Sequence, residues 1–313
     1  MPPPATATVV WLGSASGDVR VVGGKAASLD RLARLGFRIP PGFCLTTAAF
    51  DVQLEAIERA REVLAALPDE AARCRITEAM ERAPIEPRLA AELDDAVARL
   101  VRELEGLGIA NPLFAVRSSG IGEDGSAASY AGLHETELGV RPEGVAGAVR
   151  RCWASLWSAP AVAYRQRKGL TLDGGGMAVV VQSLVPADAS AVVFTRNPVT
   201  HTDDLVITAV RGLGEAMVAG TTTPETIVLD RATRDVIDYT PGVAGSRLVA
   251  DANGGIVDLH DGADGPALDG HVLDELASLA LGVERGFGAP VDIEAAIAGS
   301  QWFLLQARPI TTS

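Results

Sequence analysis

Apolar positions change their spacing along this chain, and the changes divide it into helical and extended stretches. Over residues 46–107 Ala and Leu recur at helical spacing with charges grouped on the other face, which predicts amphipathic helix interrupted near Pro68 and between Pro84 and Pro87. Residues 145–168, VAGAVRRCWASLWSAPAVAYRQRK, predict a further helix in which Trp153 and Trp157, four apart, are packing residues. Short unbroken apolar runs predict strands instead. FAV at 114–116, MAVVVQSL at 177–184 and LVITAV at 205–210 are of this kind, with 191–195 expected as the antiparallel partner of 177–184. Ile39-Pro40-Pro41-Gly42-Phe43 reads as a turn into a short strand, Gly174-Gly175-Gly176 as a turn, and 106–112 as a hinge. Near the end, VDIEAAI and QWFLLQA form two strands joined by Ala298-Gly299-Ser300 as a hairpin. No internal repeat stands out.

Three of these junctions carry candidate chemistry. After the strand 114–116, Arg117 stands at a strand end and leads into Ser118, Ser119, Gly120, Gly122, Gly125, Ser126, Ala127 and Ala128, with a strand resuming near Glu135. Residues without bulk let backbone N–H groups close over a polyphosphate, and Arg117 supplies charge; the same residues also fit a surface loop with a salt-bridged arginine. VGGKAASL at 22–29 is a tight turn opening a helix, with Lys25 at a helix N-terminus that already favours anions. It is not the P-loop pattern. In the terminal hairpin, period-two alternation puts Asp292 and Glu294 on one face and Gln306 and Arg308 on one face. Such oxygens suit Mg²⁺, which shares its shell with substrate phosphates; a cross-strand Glu294–Arg308 ion pair is the alternative. Gln182 lies in an apolar strand and needs a hydrogen-bond partner. Arg211-Gly212-Leu213-Gly214-Glu215 fits either close backbone approach to a ligand or an ordinary strand-to-helix turn.

Composition narrows the function classes. The 313 residues exceed the usual size of one domain, and 48% hydrophobic with 21% charged residues describes a soluble globular chain with a sizeable core. A formal charge of −13 argues against nucleic acid as a partner. No long uncharged apolar run occurs, and MPPPATATVVW lacks the make-up of a signal peptide, so neither a membrane span nor secretion is expected. Cys44, Cys74 and Cys152 show no metal-ligand spacing and are expected as buried thiols in a reducing cytoplasm.

The ordered blocks GGKAASL, AVRSSGIGEDGSAASYAG, VVVQSLVPADASAVVFTRNPVT, GLGEAMVAGTTTPETIVLDR and VDIEAAIAGSQWFLLQARPIT resemble the ATP-binding domain of the phosphoenolpyruvate synthase and pyruvate, phosphate dikinase family, which includes rifampicin phosphotransferase. The resemblance covers roughly residues 13–311. It implies an α/β (α+β) chain with the ATP-grasp fold, two subdomains closing on ATP, with Mg²⁺ as metal and transfer of the β-phosphoryl group to a histidine of a separate swivelling domain or protein. The lobes expected are 1–110 with the Lys25 loop, 111–200 with the phosphate loop, and 201–313 with the metal-binding hairpin. By resemblance Lys25 and Arg117 hold the α- and β-phosphates, Arg308 helps neutralise the γ-phosphate, and Glu294, Gln306 and Asp292 form the metal site. Gln182 lines the adenine pocket, Thr136 lies near the phosphates, Gly132 shapes the end of the loop, and Glu215 belongs to the nucleotide side. Ala295 departs from the family pattern, where an aromatic is frequent, and is expected to change packing beside the metal site.

The family works through phosphohistidine, so the four histidines bear on function. His134, His201, His260 and His271 lie outside any Thr-Ser-His type of acceptor motif, the last three in polar loops or at a helix start. The accepting histidine is therefore expected outside this chain, which ends at QARPITTS where relatives continue; an excised domain and a stand-alone protein with a separate partner are both compatible. Besides the dikinase-type component, a kinase acting directly on a small metabolite and a non-catalytic ATP sensor stay open.

Overall fold

A computed structural model describes residues 7–14, 17–121, 136–172, 176–218, 220, 222–243, 246–260 and 265–310. The chain divides into two compact units, the first comprising Met1–Arg31, Pro41–Leu184 and Ala252–Gly254, the second Leu32–Pro40, Val185–Asp251 and Gly255–Ser313. Both mix helices with antiparallel sheet, the α+β class expected.

The elements up to residue 184 are β1 (Val9–Trp11), α1 (Val19–Arg34), β2 (Gly42–Leu45), α2 (Thr47–Ala56), α3 (Ala60–Ala65), α4 (Glu70–Arg82), α5 (Pro87–Gly106), β3 (Phe114–Gly120), β4 (Thr136–Val140), α6 (Val145–Ala154), α7 (Ala159–Arg167) and β5 (Met177–Ser183). The five strands form one sheet in the order β1-β2-β5-β3-β4. Register sorts its two faces. Phe43, Leu45, Phe114, Val116, Val179 and Val181 point to one side and join the core beneath the helices. α5 meets that core through Leu89, Leu93, Ala96, Val97, Leu100 and Leu104, the helical stripe read from the sequence. Trp153 and Trp157 are fully buried, with ring centroids 6.2 and 5.9 Å from Phe50, and the Trp153 indole N–H donates to the Met177 carbonyl. They are packing residues, as their spacing implied.

Three expectations change in this unit. The strand expected to stop at Val116 continues to Gly120, because β5 offers a partner at every step through Gly120↔Met177. Long-range pairing overrides the weak strand preference of Ser and Gly. The helix expected over 145–168 is two helices, parted by a 3-10 turn at Ser155–Trp157, after which the Ser158 hydroxyl accepts from the Ala161 N–H and starts α7. Cys44 and Cys152 are buried but Cys74 is exposed, since α4 buries Ala72, Ile76 and Met80 and Cys74 falls on its other side.

The second unit contains β6 (Ala189–Phe194), β7 (Leu205–Arg211), α8 (Glu215–Val218), β8 (Glu225–Leu229), β9 (Val236–Thr240), β10 (Arg247–Ala250), β11 (Ile256–Leu259), α9 (Gly270–Phe287), β12 (Val291–Ala298) and β13 (Gln301–Pro309). Its six-stranded sheet runs β13-β12-β6-β7-β8-β9, and β10 pairs with β11. Val193, Ile207, Ile227, Ile293, Ala295 and Leu304 turn towards one face and pack with Leu276, Ala280 and Val283 of α9. Asp269 caps α9 by accepting from the N–H groups of His271 and Val272, and Gly288 ends it at φ 67°. The pairing expected between 177–184 and 191–195 does not form. Both edges of β5 are taken by β2 and β3, while β6 pairs with β12 and β7 in the other sheet.

Candidate functional site

The turn that carries Lys25 is built by a glycine and a distant serine. α1 is broken at Gly23, whose φ of 72° and ψ of 175° lie outside the helical region and suit glycine. A Cβ there would stand 2.0 Å from the Ser119 carbonyl oxygen, so the missing side chain also lets the turn press against β3. The Ser119 hydroxyl donates to the Val22 carbonyl at 2.8 Å and accepts from the Ala26 N–H at 3.3 Å. Lys25, only 9% exposed, is thus held within a segment tied at both ends to β3.

The same sheet face collects the other candidates of this unit. Arg117 is opposite Val180 on β5 and Thr136 on β4, and Gln182 is opposite Ala115 on β3 and Gly42 on β2. Residues directly opposite share a face, so Arg117, Ser119, Thr136 and Gln182 project away from the Phe114 and Val116 core. Arg117 and Thr136 are half-buried, whereas Gln182 is 2% exposed. Gly42 permits that burial: a Cβ on it would lie 2.4 Å from the Val181 carbonyl oxygen and 2.9 Å from the Gln182 Cγ. Sequence reasoning gave Ser119 only a place among small loop residues. Its signal was its spacing of two from Arg117, which places both on one face once the strand extends that far.

In the second unit the terminal hairpin brings the oxygen donors together in register. Asp292 is opposite Arg308 and Glu294 opposite Gln306, so all four occupy one sheet face. A bulge between Glu294 and Ala295 leaves Leu305 without an opposite residue, which is why Leu304 and Ala307, three apart, both reach the core. The ion pair seen on this face joins Arg308 to Asp292. Arg308 Nε and Nη2 each approach Asp292 Oδ2 at 2.8 Å, because register sets Arg308 against Asp292 and a glutamine against Glu294. Burial pushes the Asp292 carboxyl above its ordinary value; Arg308 opposes this by charge and hydrogen bond, and the Glu294 charge adds to it. A cation between the two carboxylates would relieve that repulsion, and Asp292, Glu294 and Gln306 supply the hard oxygens Mg²⁺ takes. Among the described residues no group of three or more His, Cys, Asp or Glu could hold a metal, so the Gln306 amide and ligand phosphates would have to complete the shell. Ala295 points into the core on the face opposite Glu294.

The turn after β7 is shaped by the protein itself. Gly212, at φ 73°, would place a Cβ 2.3 Å from the Leu248 carbonyl oxygen, the Leu213 N–H donates to that carbonyl, and the Ser190 hydroxyl donates to the Gly212 carbonyl at 2.8 Å. The close approach that Gly212 allows is therefore to β10. Glu215 follows as the first residue of α8 and is half-buried. Gly132 and His134 lie outside the described residues. His201, His260 and His271 are exposed, His201 in a turn at φ 59° and His271 at the start of α9.

Comparison with known proteins bears on this arrangement. Residues 19–313 match the family model described as "Pyruvate phosphate dikinase, AMP/ATP-binding domain". A probable phosphoenolpyruvate synthase of Methanocaldococcus jannaschii is 33% identical over 97% of this chain and 27% of its own length. The prodigiosin synthesizing transferase PigC of Serratia marcescens is 36% identical over 93% of this chain and 32% of its length, and the rifampicin phosphotransferase of Streptomyces sviceus 35% over 94% and 35%. The chain thus spans about a third of the length of these relatives. With the match running through nearly every element described above, the chain belongs to the pyruvate phosphate dikinase AMP/ATP-binding domain family.

Proposed function

We propose that this chain is the ATP- and Mg²⁺-dependent phosphotransferase component of a dikinase-type enzyme, which readies ATP for transfer of its β-phosphoryl group to a histidine on a separate domain or protein. The observation that carries the reading is the shared sheet face of Arg117, Thr136 and Gln182, turned away from the core, to whose Ser119 the turn bearing Lys25 is hydrogen-bonded. Lys25 and Arg117 hold the α- and β-phosphates, Thr136 lies beside them with Gly132 at the loop's end, and Gln182 meets the adenine edge. Arg308, oriented by Asp292, neutralises the γ-phosphate, and Glu215 contributes on the nucleotide side. Glu294, Gln306 and Asp292 would hold Mg²⁺, which supplies charge neutralisation between phosphate oxygens when bound. Phosphoryl transfer asks the protein chiefly for position and charge compensation, which these side chains offer. The lobes 1–110, 111–200 and 201–313, closing on nucleotide, and a cytoplasmic setting belong to the same reading. No helix among the described residues is long and apolar enough to cross a membrane.

Labelled ATP tests it. With Mg²⁺ the chain alone should show little hydrolysis and no stable self-labelling, whereas adding the histidine domain of its own operon or parent enzyme should give an acid-labile, base-stable phosphoprotein on that partner, with AMP accumulating. ADP and a labelled metabolite formed without a partner would show a small-molecule kinase. No product under any condition would leave an ATP sensor. Acid-labile label on this chain, lost in His134→Ala, would place the acceptor here.

A further inference from the structure

We propose that Ser119 is a positioning residue that sets Lys25 relative to Arg117, an inference that rests on the reading of these two cations as phosphate contacts. One hydroxyl, fully buried, serves both sides of the kink at Gly23: it donates to the Val22 carbonyl at 2.8 Å and accepts from the Ala26 N–H at 3.3 Å. These two backbone groups bracket Gly23, Gly24 and Lys25. The non-helical Gly23 interrupts the helical hydrogen-bond pattern, so a side chain from elsewhere is needed to hold the turn. Ser119 comes from β3, 97 residues beyond Val22, and stands two residues after Arg117 on the same face. Gly23 completes the device, since any Cβ would collide with the Ser119 carbonyl oxygen at 2.0 Å. The Ser119 side chain consequently joins the lysine turn to the arginine strand. Removing the hydroxyl takes away both of its bonds to the lysine turn without altering either cation.

The test is a double-mutant cycle on the full chain, by isothermal titration with Mg-ATP and, separately, with adenosine. Ser119→Ala should weaken Mg-ATP binding roughly tenfold and leave adenosine affinity within about twofold; in a Lys25→Ala background the same change should alter Mg-ATP affinity less than about twofold, because a positioning effect vanishes with the group positioned. Equal losses in both backgrounds, equal losses for adenosine, or no loss at all would overturn the assignment. Lys25→Ala binding Mg-ATP as tightly as the parent would overturn the phosphate role of Lys25 and this inference with it. A weakened Lys25→Ala with additive Ser119→Ala would sink Ser119 alone. Should Ser119→Ala fail to fold, Ser119→Cys, which keeps a soft and weakly bonding γ atom, replaces it in the cycle. Its loss should likewise vanish without Lys25, and unchanged affinity in Ser119→Cys would overturn the role.

Discussion

Glu294 and Asp292 are two residues apart on one strand face, yet they face different partners. Asp292 is engaged by Arg308 and Glu294 is opposite the amide of Gln306, so the hairpin sets two carboxylates and an amide oxygen on one face for a shared metal. Titration calorimetry should therefore show ATP binding tightened by Mg²⁺ in the parent and unaffected by Mg²⁺ in Glu294→Ala, with the fold retained because the side chain is outside the core. Equal parental affinity with and without Mg²⁺ would remove the metal site. Arg117→Ala and Lys25→Ala should each slow transfer to a competent histidine partner by roughly two to three orders of magnitude, as expected of groups that meet charge developing in the transition state. Lys25→Arg should not restore it: the position is 9% exposed and the guanidinium fork is larger and differently shaped. Near-normal turnover in both alanine variants would end the phosphate reading.

At the scale of elements, the second unit is locked between strand and helix by Arg231 and Glu284. Arg231 donates to the Glu284 carboxylate at 2.5 and 3.1 Å and to the Thr195 carbonyl at 2.8 Å, joining the turn after β8, the end of β6 and α9. Burial alone would raise the Glu284 carboxyl; hydrogen bonds from Arg231 and Thr195, with the charges of Arg231 and Arg285, bring it below the ordinary 4.5. A depressed folded-state pKa adds stability that is present above the unfolded value and is lost as pH falls through the folded one. Urea unfolding should show Glu284→Gln less stable by about 1 kcal/mol at neutral pH, the low side for charged hydrogen bonds because Arg231 is 32% exposed. The gap should be constant from neutrality down to about pH 5 and close below 4.5. A gap that widens in acid would contradict the pairing.

For the whole molecule, charge decides what the surface attracts. Forty acidic against 27 basic residues leave −13, so ATP recognition must come from a few placed cations and not from a basic field. The chain should bind an anion-exchange resin at pH 7 and fail to shift a DNA duplex at physiological salt; a salt-sensitive shift would reveal a basic patch that the total conceals. Its α+β, ATP-grasp type of fold and its family membership match the resemblance carried by five sequence blocks. Each of the relatives compared is about three times longer or more.

Sequence alone determined what repeats locally. The stripe of α5, the packing role of Trp153 and Trp157, the hairpin of β12 and β13 and the shared face of Asp292 and Glu294 all follow from periods of 3.6 and 2, which nearest neighbours impose. Only the tertiary structure decided which strands pair. β3 runs on to Gly120 because β5 is beside it, β6 abandons β5 because both β5 edges are filled, and Arg308 meets Asp292 because the register before the bulge puts it there. It also revealed that Ser119 holds the Lys25 turn and that Gly212 accommodates Leu248. Such contacts join residues up to 97 positions apart, and a hydrogen bond across that distance leaves no period in the chain.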